Sequence, residues 1–191
     1  MEKTLILVKP DAVKRGLVGK ILDRFEQSGL KIVAMKMIWV DKDMAGKHYT
    51  TNEEFLVGMG NKTLKTYAEY GKDPLEVMGT KDPLEIGKMV RQWNLEFLTS
   101  GPVVAVILEG IHAVTIVRKI VGATLPTFSE PGSIRGMYSI DSPVLANDRK
   151  RAVRNMIHAS GTVEEAKLEI ELWFHKREIY DYHRADEDVM F

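Results

Sequence analysis

Hydrophobic positions along this chain alternate between short continuous runs and helical stripes. Residues 4–8 form an apolar run stopped by Pro10, which predicts a short buried strand. Gly16 and Gly29 bracket a stripe of Val18, Ile21, Leu22 and Phe25, the pattern of a helix with a glycine at its C-terminal end. Residues 31–40 are β-branched and methionine-rich and read as a second strand, after which Asp41 caps a short helix carrying His48 and Tyr49. Residues 103–108 are a third, fully apolar strand, and 113–121 a helix with Val114, Val117 and Val121 on one face. A turn-rich loop from Gly122 to about Arg149 follows, and residues 152–159 read as a strand ending at His158. Thr162-Val163-Glu164-Glu165 is a capping box for a last helix, and the charged stretch from Lys176 is expected to wrap the surface.

One stretch breaks the rhythm. Residues 50–79 hold four glycines and little periodicity, which reads as an irregular insertion. Within and beyond it, Lys72-Asp73-Pro74-Leu75-Glu76 recurs as Lys81-Asp82-Pro83-Leu84-Glu85. Each copy predicts a helix start, with Asp as N-cap, Pro at the first position and Glu closing a capping box. The alternation of elements predicts an α/β or α+β sandwich of about four strands, and does not by itself separate a doubly wound sheet from a ferredoxin-like one.

Composition narrows the function. The chain has 191 residues, 45% of them hydrophobic, so one domain with a real core is expected. Lys plus Arg and Asp plus Glu are both 27, and this zero formal charge gives no support to a dedicated nucleic-acid binder. With no cysteine, disulfides, thiolate-ligated metals and thiol catalysis are excluded. No apolar run is long enough to span a membrane and no secretory signal is apparent, so the expected compartment is the cytoplasm. None of the five histidines has a short metal-ligand spacing to another, and no protein-held metal is expected.

The candidate chemistry gathers at strand ends. His158 sits at the rim of an apolar run and just before a capped helix, where backbone N–H groups favour a phosphate. Neutral imidazole is a good phosphoryl acceptor provided its other nitrogen is held, and Glu169 on the following helix is the candidate holder. A structural histidine at a strand end is the alternative, and from these residues alone both readings stand. Lys9 follows the first strand, where ligands of α/β sheets commonly lie. Arg118, Thr124 and Arg135 flank the first half of the long loop and supply charge and a hydroxyl suited to phosphates. Gly58-Met59-Gly60-Asn61-Lys62-Thr63 lacks the Gly-Lys-[Ser/Thr] core of a P-loop.

Six blocks, in order, resemble the nucleoside diphosphate kinase family: residues 4–13 with Arg15-Gly16-Leu17-Val18-Gly19; Ser100-Gly101-Pro102-Val103-Val104-Ala105; Val121-Gly122-Ala123-Thr124; Pro131-Gly132-Ser133-Ile134-Arg135-Gly136; Asn155-Met156-Ile157-His158-Ala159-Ser160; and Glu169-Ile170-Glu171-Leu172-Trp173-Phe174. The resemblance implies an α+β, ferredoxin-like βαββαβ sandwich in a single domain, with extra segments at about 52–92 and 139–151. It implies ping-pong transfer of a γ-phosphate between nucleoside triphosphates and diphosphates, ATP and GDP among them, through a phosphohistidine on His158. By motif, Lys9, Tyr49, Arg118, Thr124, Arg135 and Asn155 take phosphate- and sugar-contacting positions, while Ser160 and Glu169 stand around the histidine. Mg2+ bridging the phosphates and a homo-oligomer, hexameric or tetrameric, are implied as well.

The sequence departs from the family in three places. Where compact members carry an aromatic pair for the nucleobase, an ungapped count places Val90 and Arg91, with Phe55, Tyr67 and Trp93 as possible substitutes. Loss of such a platform costs about 1–3 kcal/mol per base. An extra segment ends in Arg149-Lys150-Arg151, and Ala159 and Gly161 stand where Gly and Asp are common.

Overall fold

Four strands, β1 (Glu2–Val8), β2 (Lys31–Trp39), β3 (Pro102–Gly110) and β4 (Ile157–Ala159), make one antiparallel sheet in the order β2-β3-β1-β4. The structure, a computed structural model, describes residues 1–190. The helices in chain order are α1 (Pro10–Lys14), α2 (Val18–Gln27), α3 (Lys42–His48), α4 (Glu53–Glu69), α5 (Pro74–Met78), α6 (Pro83–Leu98), α7 (Ala113–Val121), α8 (Ile134–Tyr138), α9 (Pro143–Asp148), α10 (Val163–Trp173) and α11 (Glu187–Met190). Reading β1-α2-β2-β3-α7-β4, with β1 and β3 central, gives the ferredoxin-like βαββαβ arrangement. That settles the choice the element order left open.

The continuous apolar runs of β1 and β3 follow from burial on both faces. Ile6, Val8, Val104, Val106 and Leu108 pack with Ile21 and Phe25 of α2 and Val117 and Val121 of α7. Leu5, Leu7, Val103, Ala105 and Ile107 pack on the other face with Ala45 of α3, Leu98 of α6 and Trp173 of α10. The terminal segment does wrap the surface: Tyr180 N–H donates to Val33 O, and Tyr182 Oη to Ile32 O.

Helix starts behave as the sequence predicts, in part. Asp41, Asp73 and Asp82 accept from Met44, Leu75 and Leu84 N–H. Among the described residues, no return bond from Glu76 or Glu85 completes a capping box in the two repeated segments. At α10, Thr162 accepts from Glu165 N–H, while Glu165 Oε2 reaches Gly161 N–H instead.

Three expectations about local structure are corrected. The stretch expected to be irregular contains the seventeen-residue α4. Its apolar stripe is weak because α4 and α6 meet through backbone: a Cβ on Gly60 would run into the Pro83 carbonyl, and one on Gly87 into the Leu56 carbonyl. The glycines that read as loop are the close-approach points of a helix pair. The loop after Gly122 is likewise ordered, holding a 3-10 turn at Pro126–Phe128 as well as α8 and α9. The expected strand over 152–159 pairs only at Ile157–Ala159, because Met156 adopts φ 70° and bends the chain away from β1.

The α4–α6 contact makes opposite predictions for two glycines two residues apart. Gly60→Ala is expected to lower stability by about 3 kcal/mol through overpacking. At Gly58 a Cβ meets nothing within 4 Å, so Gly58→Ala is expected to raise stability by ~0.5–1 kcal/mol through helix propensity. Denaturant unfolding of the two variants checks this; equal effects would contradict the packing described.

Candidate active site

Strand register decides which side chains meet. In the antiparallel β1–β4 pair His158 lies opposite Leu7, so both side chains point to the same face of the sheet. Lys9, two residues beyond Leu7, continues that side, and its N–H is tied to Met156 O at 2.8 Å. This face is covered by α3 and α10, which bring up His48, Tyr49 and Glu169. The result is a cleft of about 200 Å³ lined by Lys9, Tyr49, Arg118, Thr124, Arg135, Asn155 and His158, together with Asn94 and Val121-Gly122. Every phosphate- and sugar-contacting candidate named from the sequence borders it. Pockets for drug-sized ligands commonly measure about 300–1,000 Å³, so a cleft of this size encloses only part of a larger ligand.

The second ring of residues holds the first. Ser160 is fully buried; its hydroxyl donates to Glu169 Oε2 at 2.6 Å and its oxygen accepts from Leu5 N–H. The other carboxylate oxygen, Oε1, lies 2.7 Å from His158 Nε2. The approach is off the line of a hydrogen bond, so Nε2 is enclosed without an aligned partner. The His158 side chain keeps 18% of its surface exposed, and with Nε2 enclosed, Nδ1 is the nitrogen available to an incoming group. Asn155 links two walls: its Oδ1 accepts from Lys9 Nζ at 2.8 Å, and its Nδ2 donates to Thr124 O at 2.9 Å.

Arg135 is a knot as well as a charge. Arg135 is 7% exposed, and its guanidinium donates to Gly122 O, Asn155 O and Ile157 O, pinning the loop to β4. Gly122 is required at that junction: it sits at φ 88°, and a Cβ there would strike Ser133 Oγ. Arg118 is exposed on α7, and Thr124 contributes its backbone carbonyl to the Asn155 bond.

Burial sets the protonation states. His158 is lowered to about 3, first by burial and next by the Lys9 charge, so its imidazole is neutral near pH 7. Lys9 is lowered to about 8, by burial and then by Arg135, against an opposing pull from Asp11. Arg135 is lowered to about 10 by burial and Arg118 and stays charged. Burial raises the carboxyl of Glu169, opposed by the Ser160 hydroxyl. The phenol of Tyr49 is also raised by burial. A neutral imidazole therefore sits among fixed cations.

Several site residues escape a reading of the sequence. His48 stacks edge-on against His158 with centroids 4.6 Å apart, although the two are far apart in the chain. Spacing within a motif carries no signal for such a pair. Trp173 Nε1 donates to His48 Nδ1 at 3.4 Å. Asn94 is the α6 residue in the cleft; it stands one turn before the end of the helix, on the face that also carries Arg91. Neither Val90 nor Arg91 borders the cleft, nor do Phe55, Tyr67 or Trp93. Arg91 instead donates to Tyr49 O and Gly46 O, tying α6 to α3, and Tyr67 is buried within the α4 packing. A larger hollow, about 790 Å³, lies at the opposite edge beside Lys3, Lys31 and Glu109. Glu109 there pairs with both lysines, at 2.7 and 3.0 Å.

The sequence model of one family, nucleoside diphosphate kinase, matches residues 2–57 and 85–179. The chain belongs to the nucleoside diphosphate kinase family. A nucleoside diphosphate kinase of Pyrobaculum aerophilum is 49% identical over 181 residues, covering 95% of this chain and 99% of that one. One of Pyrococcus furiosus is 40% identical over 97% of this chain and 90% of its own length. Among solved structures, an NDP kinase from Pyrobaculum aerophilum superposes with a TM-score of 0.91 at 48% identity, covering 94% of this chain and 99% of that one. A nucleoside-diphosphate kinase from Borrelia burgdorferi, a transition-state mimic with vanadate and ADP bound, superposes at 0.78 and 35% identity, covering 97% and 94%. The family model leaves 58–84 unmatched, the part of the chain that holds most of α4 and all of α5.

In a kinase of this family the charges described give a definite pH dependence. A reaction that runs through these two groups would need His158 neutral and Lys9 charged. Protonation of His158 begins only near pH 3, whereas Lys9 loses its proton as pH rises through about 8. For kcat/KM, which reports the free enzyme, a plateau from mildly acid pH to about 8 and then a decline are expected. Lys9→Arg, whatever its absolute rate, is expected to remove the alkaline decline. A limb near pH 6.5 in the native enzyme would contradict the assignment.

Proposed function

We propose that this chain catalyses reversible ping-pong transfer of the γ-phosphate from a nucleoside triphosphate to a nucleoside diphosphate, through a phosphohistidine on His158. The observation that carries the reading is the setting of that imidazole: neutral, with Nε2 enclosed against Glu169 and Nδ1 left facing a cleft bordered by Lys9, Arg118 and Arg135. In the first half-reaction a bond forms between Nδ1 and the γ-phosphorus. The bond to the bridging oxygen breaks, and the diphosphate leaves with that electron pair. The second half-reaction runs the same steps backwards onto a different diphosphate.

Each residue has a part that its position supports. Lys9, Arg118 and Arg135 offset charge on the transferring phosphoryl group; Asn155, Thr124 and Tyr49 position phosphates and sugar. Glu169, held by Ser160, fixes the histidine ring. Phosphoryl transfer asks mainly for alignment and charge neutralisation, which these groups supply. No aromatic side chain from α6 borders the cleft, only Asn94, in keeping with several bases being accepted, ATP and GDP among the substrates.

No carboxylate is among the side chains bordering the cleft, so the donor set does not suit a Mg2+ held by the protein. We assign Mg2+ to the phosphates of the nucleotide, where it would neutralise part of their charge. A homo-oligomer, hexamer or tetramer, is supported by edge strand β2, where Met35, Met37 and Trp39 are 56, 62 and 68% exposed at alternate positions. No described helix is long and apolar enough to cross a membrane; free nucleotides as substrates make the cytoplasm the compartment we assign. We take the chain as one domain, with the segments at about 52–92 and 139–151 as additions to the family core.

The test is the intermediate itself. Incubation with Mg2+ and γ-labelled ATP, without acceptor, is expected to give an acid-labile, base-stable labelled protein that empties into GTP on addition of GDP. The His158→Ala variant is expected to take no label. ATP binding without labelling of the native chain would sink the proposal and leave a nucleotide-binding relative.

A further inference from the structure

Behind the nucleophile lies a denser set of metal-ligating atoms than phosphoryl transfer requires. His48 Nδ1 is 3.7 Å from Glu169 Oε1, the same oxygen that stands 2.7 Å from His158 Nε2. The two rings meet at 85°, and one ligand atom from each of the three residues lies within 4.8 Å of the others. Around a tetrahedral ion with ligands at 2.0–2.1 Å, donors stand about 3.3 Å apart, so small rotations of the Glu169 carboxylate and the rings suffice to close the set. Ser160 already holds Oε2 at 2.6 Å, which leaves Oε1 as the free donor and fixes its direction. The one bond in the way is that from Trp173 Nε1 to His48 Nδ1, and at 3.4 Å it is long.

We propose that His48, His158 and Glu169 form a binding site for a borderline divalent transition metal, of the class of Zn2+, Co2+ and Cu2+, in the nucleotide-free protein. Two imidazoles and one carboxylate are a donor set such ions take. Mg2+ does not compete, because it prefers oxygen ligands in an octahedron. The ion that assists transfer on the nucleotide and the ion bound here are thus separated by ligand chemistry. Because an ion held on His158 Nε2 leaves the ring proton on Nδ1, the nitrogen that would attack phosphorus, the metal acts as an inhibitor. That second statement rests on the kinase reading; the binding itself does not.

Cobalt as the added probe makes binding visible without any assay of activity. In a variant with Trp39→Phe and Trp93→Phe, Trp173 is the remaining tryptophan, and Co2+ binding at His48 is expected to quench its fluorescence at one ion per chain. The visible absorption of tetrahedral Co2+ should appear in parallel, be displaced by Zn2+ and not by Mg2+, and weaken at least about tenfold in both His48→Ala and Glu169→Gln. No quenching in the folded double variant, or Co2+ affinity unchanged by both ligand substitutions, overturns the site. Zn2+ at saturation should also abolish labelling of His158 by ATP. If Zn2+ binds and labelling proceeds at its normal rate, the inhibitory role is overturned. If no labelling occurs with or without metal, it is the kinase reading that fails, and fluorescence and absorbance alone decide the site.

Discussion

The pairing of β4 with β1 fixes everything else at the site. Three residues of β4 stand in register with β1, Ala159 opposite Ile6, His158 opposite Leu7 and Ile157 opposite Val8. A slip of one residue would turn His158 onto the α2–α7 face, away from α3 and α10. So short a strand has little pairing energy of its own, and its register is held from outside. Lys9 N–H binds Met156 O before it, Ser160 N–H binds Leu5 O after it, and Arg135 grips Ile157 O from the loop. Met156 at positive φ ends the pairing and starts the loop connection in one residue.

The same arrangement explains how a neutral base coexists with several cations. Burying Lys9 and Arg135 is costly unless their donors are satisfied. Asn155 accepts from Lys9, and three backbone carbonyls accept from Arg135. Both charges are thereby fixed in place before any ligand arrives, which is the preorganisation that phosphoryl transfer exploits. Their field, together with burial, keeps the adjacent imidazole unprotonated. By contrast, the ion pair between Lys72 and Asp148, which joins the α5 segment to α9, is more than a third exposed on both sides and adds little to stability.

Much of this was readable from the residues, and the failures have physical causes. The apolar runs of β1 and β3 and the capped helices α3, α6 and α10 follow from local pattern. So do Lys9, Arg135, Asn155 and His158 as cleft residues, because each lies in a motif, and Arg118, because it flanks the long loop. The helix α4 was hidden because its packing is made by glycine backbone at Gly60 and not by a stripe of large side chains. His48 was hidden because its partners arrive from the opposite end of the chain through sheet topology. Asn94 was missed because counting back along the sequence from Gly101-Pro102 placed attention on Val90 and Arg91, nearly a turn earlier on α6, where Arg91 turns out to hold α3.

Glu169 encloses Nε2 of His158 at 2.7 Å and leaves Nδ1 as the nitrogen for chemistry. Phosphorus–nitrogen NMR couplings in the phosphorylated, histidine-labelled protein test it directly. The geometry predicts phosphate on Nδ1, with Nε2 carrying the proton toward Glu169. Phosphate on Nε2 would contradict it, since that nitrogen would then have to turn away from the carboxylate that is said to hold it.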